Sequence, residues 1–269
     1  MMHSPYAAPS STMLPEFEPH TSPIVDATHP ANALGNGSIH IWRLDLRLIT
    51  SELRREALAC MSQAERERAE KFKRGKEEYI ACRWLLRQVL AIYTGVATHE
   101  LQIQRSEKGK PYLARSNIQF SLSHSNHWAI LAVSEGQAIG IDVETIQAQR
   151  DITGIAQHYY HPAELAALLR LSGGAQQDYF YRLWTLKEAF FKALGSGISA
   201  GLDKIAFTMN EQHISAVIDA ALETSGTDWQ FQQWQLAPQV YCALAHRYEK
   251  TGQQLSTKWF DALALPAFP

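Results

Sequence analysis

The sequence predicts a mixed protein of helices and strands, arranged as two similar halves of one chain that meet near residue 138. Strand-like segments, helical segments and further strand-like segments follow one another twice along the chain. The chain has 269 residues, of which 46% are hydrophobic and 19% charged, which is typical of a globular protein with room for two small cores. The duplication is inferred from the order of the elements, because no sequence repeat is visible.

We predict four segments along the chain. Residues 1–37 are rich in Pro, Ser, Ala, Thr and His without an apolar period, which predicts a flexible extension. Residues 38–137 would form the N-terminal half, residues 138–262 the C-terminal half and residues 263–269 a tail. No run of about 18 apolar residues is present, and the N-terminus lacks the basic and apolar regions of a secretory signal. We therefore expect neither a membrane span nor secretion.

The N-terminal half is predicted to begin with a strand at Ser38. A helix capped by Ser51 follows, and residues 63–93 carry apolar side chains at helical spacing, with a group of basic side chains in the first half of that stretch. Two strands come next. Residues 118–123 alternate between apolar and polar, and residues 128–133 form a nearly continuous apolar run, which is typical of a strand buried on both faces.

The C-terminal half is predicted to begin with a strand over residues 139–144, where apolar and other residues alternate. A helix should start with Pro162 at its first position and end at Gly173. A longer helix over residues 178–194 should stop at Gly195, because glycine is the usual residue just beyond a helix end. The remaining predicted strands are residues 205–209, 229–236 and 240–246.

Charge and cysteine content exclude some classes of protein. The formal net charge of -2 argues against a protein that grips nucleic acid, because phosphate binding usually leaves a strongly basic surface. The three cysteines, Cys60, Cys82 and Cys242, are odd in number and far apart, so they predict neither a disulfide framework nor a paired-cysteine metal site. Reduced thiols of this kind indicate a cytoplasmic protein.

The first candidate site is a pair of carboxylates in the strand over residues 139–144. Asp142 and Glu144 share one face of that strand, about 7 Å apart, while the isoleucines and the valine face the core. Gly140 on the same face leaves room for something bulky to approach. Adjacent carboxylates repel each other unless a cation lies between them, and hard oxygen ligands suit Mg2+. The alternative is that both carboxylates face solvent.

The second candidate site lies on the long C-terminal helix, over residues 184–192. Glu188 and Lys192 are four residues apart on a face that flanks the apolar one. They could form an ordinary surface ion pair. The functional alternative makes Glu188 a third metal ligand or a general base, with Lys187 or Lys192 neutralising charge on a phosphate.

The third candidate site is a polar stretch at the end of a predicted strand, with Ser123 and His124 at its centre. A hydrolase nucleophile is disfavoured because no GxSxG motif is present. Phosphate contact fits the position, and so does a purely structural histidine. His158 and His161 could be zinc ligands, but no third ligand has suitable spacing.

The order of these motifs is more specific than any one of them. Lys-Gly-Lys-Pro at 108–111 is followed by Phe-Ser-Leu-Ser-His-Ser at 120–125, Gly-Ile-Asp-Val-Glu at 140–144 and Trp-Thr-Leu-Lys-Glu-Ala-Phe-Phe-Lys at 184–192. The chain thereby resembles the Sfp-type 4'-phosphopantetheinyl transferases over roughly residues 39–246, and it matches both signature motifs without a mismatch. The resemblance implies an α+β fold of two similar halves related by a pseudo-twofold axis, with coenzyme A in the cleft between them.

The resemblance also implies an activity, which is that of a holo-[acyl-carrier-protein] synthase. Such an enzyme transfers the 4'-phosphopantetheine arm of coenzyme A to a serine of an apo acyl or peptidyl carrier protein and releases 3',5'-ADP. The carriers serve fatty acid, polyketide or nonribosomal peptide synthesis. A monomer is expected, because one chain supplies both halves. Two alternatives stay open, a Mg2+-dependent nuclease or phosphohydrolase and a non-enzymatic module that binds carriers.

By motif position, the resemblance implies roles for particular residues. The Mg2+ ligands would be Asp142, Glu144 and Glu188. The catalytic residues would be Glu188 as base, Lys192 at the diphosphate, and Asp142. The contacts to coenzyme A would be Arg68 and Arg83 at the 3'-phosphate, Gly109, Lys110 and Pro111 at the adenine, Ser123 and His124 at phosphate groups, and Lys187 and Lys192 at the diphosphate.

Overall fold

The computed structural model describes residue 34 and residues 37–197, 201–210, 213–247 and 256–265. The predicted extension over residues 1–37 lies almost entirely outside these ranges, and so does part of the predicted tail over residues 263–269. No helix within the described ranges is long and apolar enough to cross a membrane.

The described residues form six α-helices and eleven strands. The helices are α1 (Ser51–Cys60), α2 (Gln63–Glu70), α3 (Lys76–Thr94), α4 (Ile152–Tyr159), α5 (Pro162–Leu168) and α6 (Gly173–Leu194). The strands are β1 (Ser38–Asp45), β2 (Ile103–Arg105), β3 (Pro111–Leu113), β4 (Ile118–Ser125), β5 (Trp128–Glu135), β6 (Ile139–Thr145), β7 (Ile205–Met209), β8 (Ile214–Ile218), β9 (Trp229–Ala237), β10 (Val240–Arg247) and β11 (Ser256–Asp261).

The two halves have the same topology. In each half a strand leads into helices that end with a long one, and a small hairpin and an antiparallel pair of strands follow. The first sheet has the strand order β11-β1-β5-β4, and the second has the order β6-β10-β9. Since β1-β5-β4 corresponds to β6-β10-β9 strand for strand, the predicted α+β fold of two similar halves is confirmed.

Strand β11 breaks this correspondence. It follows the second half in sequence but lies in the first sheet, parallel to β1, with Ser38 opposite Ser256. The polar composition of this strand gave no strand signal in the sequence, and the short strand β8 was missed as well. The boundary of the C-terminal half at residue 262 stays a prediction.

Several predicted helix bounds are wrong. The single helix expected over residues 63–93 is divided into α2 and α3, because Gly75 adopts the left-handed conformation with φ of 74°. Helix α1 is capped by Thr50 rather than by Ser51, and the Thr50 hydroxyl accepts a hydrogen bond from the Leu53 amide at 3.1 Å. Gly173 begins α6 instead of ending α5. Gly195 caps the C-terminus of α6 as predicted.

Three apolar cores hold the chain together. One surrounds α3 in the first half and another surrounds α6 in the second half. The third lies between the two sheets, where Ile41 and Ile130 of the first sheet meet Ile141 and Leu244 of the second. Ile139, Ile141 and Val143 are all in this third core, which confirms the predicted core face of β6. The two halves are therefore joined by a buried apolar layer.

Helix α6 lies directly on β6 at Gly140. A Cβ atom built on Gly140 would lie 2.0 Å from the carbonyl oxygen of Ala189 and 2.4 Å from the amide nitrogen of Ala193. The bulky neighbour expected at this glycine is thus the backbone of α6. No side chain other than that of glycine fits between the two elements.

We expect Gly140→Ala to lower the free energy of unfolding by about 3 kcal/mol, because the added methyl group overlaps backbone that cannot rotate away. Gly174→Ala is the matched control, since that position on α6 is open and alanine is the better helix former by up to about 1 kcal/mol. Urea denaturation of both variants measures the difference. Equal stability of the two variants would contradict the close packing at Gly140.

Candidate functional site

A row of serine hydroxyls joins β4 of the first half to β6 of the second. Ser121 Oγ accepts a hydrogen bond from the Ile141 amide at 3.0 Å, and Ser125 Oγ accepts one from the Thr145 amide at 3.1 Å. Ser123, midway between them, contacts the side chain of Asp142. Every second residue of β4 thus faces β6, and the alternation of a strand explains the spacing. Two of the predicted site residues, Ser123 and Asp142, therefore lie on this seam between the halves.

Asp142 is the centre of the site and is only 3% exposed. Its Oδ1 accepts hydrogen bonds from Ser123 Oγ at 2.7 Å and from Lys192 Nζ at 2.6 Å. Lys192 Nζ also donates to Ser123 Oγ at 2.9 Å. The second oxygen, Oδ2, is buried and has no hydrogen-bond partner among the described residues. One oxygen of this carboxylate is saturated, and the other is available to a ligand.

Glu144 lies at the end of the same face of β6. Its Oε2 accepts a hydrogen bond from Ser125 Oγ at 3.3 Å, and Arg150 lies 3.8 Å from its Oε1. Burial, followed by the negative charge of Asp142, raises the pKa of Glu144 above its ordinary value. Arg150 also packs over the ring of Trp184, with 4.8 Å between its guanidinium carbon and the ring centre. Arg150 was not predicted, since nothing in its loop sequence distinguishes it.

Glu188 projects from α6, one turn before Lys192. Burial raises its pKa to about 7, with a further contribution from the negative charge of Asp142. A carboxylate with a pKa near neutrality can accept a proton and release it again near pH 7. Glu188 therefore has the electrostatic environment of a general base.

The acidic residues fit an incomplete Mg2+ site. Among the described residues, no three His, Cys, Asp or Glu side chains are gathered closely enough to hold a metal ion by themselves. Mg2+ commonly takes only one or two protein carboxylates and completes its shell with water and substrate phosphates. The buried Oδ2 of Asp142, which has no hydrogen-bond partner among the described residues, suits such a partial ligand set.

A cavity of about 410 Å3 opens beside this cluster. Both halves of the chain supply its wall, which includes seven of the predicted site residues: Arg83, Gly109, Lys110, Pro111, His124, Glu188 and Lys192. Ser123 and Asp142 do not line this cavity, but both contact Lys192, which does. Arg105 and Lys108 add positive charge to the wall. Lys108 begins the Lys-Gly-Lys-Pro motif but was given no role from the sequence, and Arg105 was not identified.

Lys110 ties the Gly-Lys-Pro loop of the first half to the end of α6. Its Nζ donates hydrogen bonds to the carbonyl oxygens of Ala193 at 2.8 Å and Ile139 at 3.3 Å. Burial lowers the pKa of Lys110 to about 8. Gly195 makes room for the lysine stem, because a Cβ atom there would lie 3.1 Å from Lys110 Cδ. The ammonium group thus satisfies backbone carbonyls, while the side chain still lines the cavity.

His124 stands on the cavity wall beside Lys192. Partial removal from water and the positive charge of Lys192 lower the pKa of His124 below its ordinary value. The ring is therefore neutral near pH 7 and can donate one hydrogen bond and accept another.

The structure does not bring Lys187 to the cavity. Lys187 is fully buried, with its Nζ 2.7 Å from Glu164 Oε2, and it donates a hydrogen bond to the Leu202 carbonyl at 2.9 Å. Consecutive residues of a helix point about 100° apart, so a helix that directs Glu188 to the cavity directs Lys187 into the second core. Because Lys187 is buried away from the cavity, its location does not support the predicted contact with coenzyme A.

Three other predicted or considered residues lie apart from the cavity. Arg68 is on the exposed surface of α2, near the ring of Tyr79. His158 Nδ1 lies 2.8 Å from the Gly154 carbonyl oxygen, and His161 caps α5 by accepting a hydrogen bond from the Ala163 amide. Both histidines therefore have local structural partners, and these contacts do not support the alternative that the two histidines bind zinc.

Comparison with known proteins places both halves in one family. A model of the 4'-phosphopantetheinyl transferase superfamily matches residues 138–245, and a model of the 4'-phosphopantetheinyl transferase N-terminal region matches residues 50–136. The 4'-phosphopantetheinyl transferase HetI of Nostoc sp. is 34% identical over 186 residues, which cover 67% of this chain and 78% of that protein.

Other relatives match over shorter stretches. A 4'-phosphopantetheinyl transferase of Bacillus subtilis is 32% identical over 59% of this chain and 71% of its own length. A phosphopantetheinyl transferase of Thraustochytrium sp. is 31% identical, and this chain spans 62% of its length. The crystal structure of Thermotoga maritima holo-[acyl-carrier-protein] synthase covers 42% of this chain and 64% of its own, at 19% identity. Its TM-score of 0.34 is too low to carry an argument.

We expect Lys187→Met to lower the free energy of unfolding by about 3–5 kcal/mol, because it leaves the Glu164 carboxylate buried without its partner. The double variant Lys187→Met/Glu164→Gln should recover part of that loss, since it removes the unpaired charge and its amide oxygen still accepts the hydrogen bond from the Phe207 amide. Chemical denaturation measures both. A single variant as stable as the wild type would show that the pair is not structural.

Proposed function

The chain belongs to the 4'-phosphopantetheinyl transferase superfamily, and we propose that it transfers the 4'-phosphopantetheine arm of coenzyme A to a serine of an apo acyl or peptidyl carrier protein, with Mg2+. The products are the holo carrier and 3',5'-ADP. The observation that carries this proposal is the cavity between the halves, where Glu188 and Lys192 stand beside Asp142.

Coenzyme A would occupy that cavity. It carries a diphosphate and a 3'-phosphate, and Arg83, Arg105 and Lys108 supply positive charge along the wall. Gly109 and Pro111 would lie beside the adenine, and the neutral ring of His124 could donate a hydrogen bond to a phosphate oxygen. Ser123 would act on the diphosphate indirectly, by holding Lys192 and Asp142 in contact.

Asp142, Glu144 and Glu188 would hold Mg2+ together with the diphosphate. When bound, the metal supplies positive charge that stabilises the transferred phosphoryl group. The free Oδ2 of Asp142 supports this assignment, because a buried carboxylate oxygen without a hydrogen-bond donor calls for a cation.

The side chains of this protein suit a direct displacement. The carrier serine oxygen forms a bond to the β-phosphorus, the bond from that phosphorus to the bridging oxygen breaks, and 3',5'-ADP leaves. Glu188 accepts the serine proton, directly or through a water molecule. Lys192 balances the negative charge that builds on the diphosphate. A positioned general base such as Glu188 raises the reaction rate by roughly 10²–10⁴-fold.

We also propose a cellular compartment and an oligomeric state for the protein. Cys60, Cys82 and Cys242 are buried and free, which supports a reducing compartment such as the cytoplasm. Because one chain supplies both walls of the cavity, a monomer suffices for activity. Hydrolysis of coenzyme A is the second candidate, since clustered carboxylates beside a lysine also suit water as the nucleophile.

The test is incubation of the full chain with coenzyme A, MgCl2 and apo acyl or peptidyl carriers, followed by intact mass measurement of the carrier. We expect a mass gain of one phosphopantetheine, lost with a chelator and restored by Mg2+. Glu188→Gln should lower kcat by roughly 10²–10⁴-fold, because the amide cannot accept the proton. Glu52→Gln, on the exposed surface of α1, is the matched control.

Two results would contradict the proposed function. Phosphate or ADP released from coenzyme A at the same rate without any carrier would indicate a hydrolase. A Glu188→Gln variant that transfers phosphopantetheine at the wild-type rate would show that Glu188 is not the general base.

A further inference from the structure

The ammonium group of Lys110 lies at the point where α6 crosses β6. Its Nζ donates hydrogen bonds to the carbonyl oxygen of Ala193, in the last turn of α6, at 2.8 Å, and to that of Ile139, in β6, at 3.3 Å. Ala193 is also one of the two residues whose backbone packs against Gly140, the neighbour of Ile139. One side chain from the first half therefore holds both partners of the closest contact in the second half.

The carbonyl group of Ala193 is an acceptor that α6 cannot satisfy by itself. The last four carbonyl groups of an α-helix have no partner within the helix, and they form the negative end of the helix dipole. The half-buried ammonium group of Lys110 satisfies one of them and offsets that negative charge. Without it, we expect the last turn of α6 to fray or shift. That turn carries Lys192, and Glu188 lies one turn earlier on the same helix.

The Gly-Lys-Pro loop does not need the Lys110 side chain to keep its own shape. The Lys110 amide donates a hydrogen bond to Ser106 Oγ at 3.1 Å, and the Lys110 carbonyl accepts one from the Ser106 amide at 2.9 Å. The Gly109 carbonyl accepts a hydrogen bond from Arg105 Nη1 at 2.8 Å. Because all these bonds use the backbone of Lys110 and Gly109, a change of the Lys110 side chain leaves the loop in place on the cavity wall.

We propose that Lys110 is a positioning residue, which fixes the last turn of α6 on β6 and so places Glu188 and Lys192 for turnover, in place of the adenine contact that the family resemblance implies for it. This inference rests on the proposed function. The two roles have different kinetic consequences. Loss of a substrate contact weakens the binding of coenzyme A, whereas loss of a positioning residue lowers the rate of the chemical step.

The test compares kcat with the dissociation constant of coenzyme A in Lys110→Met, which keeps the length of the side chain and removes the ammonium group. We expect kcat per folded molecule, at saturating coenzyme A and carrier, to fall roughly 10–10²-fold, because a displacement of about 1 Å lowers a rate by that much. The dissociation constant, measured by isothermal titration calorimetry, should change less than about threefold. Lys258→Met, at an exposed position of β11 outside the cavity wall, is the matched control and should change neither.

A second variant tests the ammonium group itself. In Lys110→Cys, the new thiolate displaces bromide from 2-bromoethylamine, and the resulting thioether carries an ammonium group on a side chain as long as that of lysine. The native Cys60, Cys82 and Cys242 are buried, and burial raises the pKa of each thiol, so they resist the reagent. We expect alkylation to restore most of the lost kcat. Both forms come from one preparation, which keeps the test available if Lys110→Met does not fold.

A dissociation constant raised about tenfold or more in Lys110→Met, with kcat unchanged, would make Lys110 a substrate contact and overturn the inference. So would an unchanged kcat together with an unchanged dissociation constant, or an alkylated variant whose kcat stays as low as that of Lys110→Cys. Each of these results would leave the proposed function standing. Absence of transfer by the wild-type enzyme would overturn both.

Discussion

The close contact between α6 and β6 at Gly140 is the constraint on which the site depends. The backbone of α6 lies where a side chain of residue 140 would be, so the helix sits directly on the strand. Asp142 is the next residue on that face, and Lys192 of α6 reaches it at 2.6 Å. A helix held further away by a side chain at residue 140 would carry Glu188 and Lys192 out of reach of Asp142.

Four hydrogen bonds from the first half hold it against this helix–strand pair. The hydroxyls of Ser121 and Ser125 accept hydrogen bonds from β6 amides, and Lys110 donates to carbonyls at the end of α6 and in β6. All are polar contacts on a buried or half-buried boundary, where an unpaired group is costly and the geometry is therefore well defined. The cavity lies between these contacts, and its shape depends on both halves being in register.

The sequence predicted the parts of the site that follow from local periodicity. The alternation in β6 placed Asp142 and Glu144 together and put Ile141 in the core, and the structure agrees. Lys187 could not be separated from Lys192 in this way, because its partner Glu164 lies on another helix. The break at Gly75 was missed since apolar spacing continues across it, with Phe72 stacked on Tyr79.

The central claim is that a cation and the diphosphate of coenzyme A meet at the carboxylates of β6 and α6. Pulsed electron paramagnetic resonance of Mn2+ bound to the full chain tests it most directly. With coenzyme A present, we expect magnetic coupling between the bound Mn2+ and phosphorus nuclei, and we expect Asp142→Asn to lose the bound Mn2+. Mn2+ that binds without coupling to phosphorus, or that binds equally well to Asp142→Asn, would contradict the proposed site.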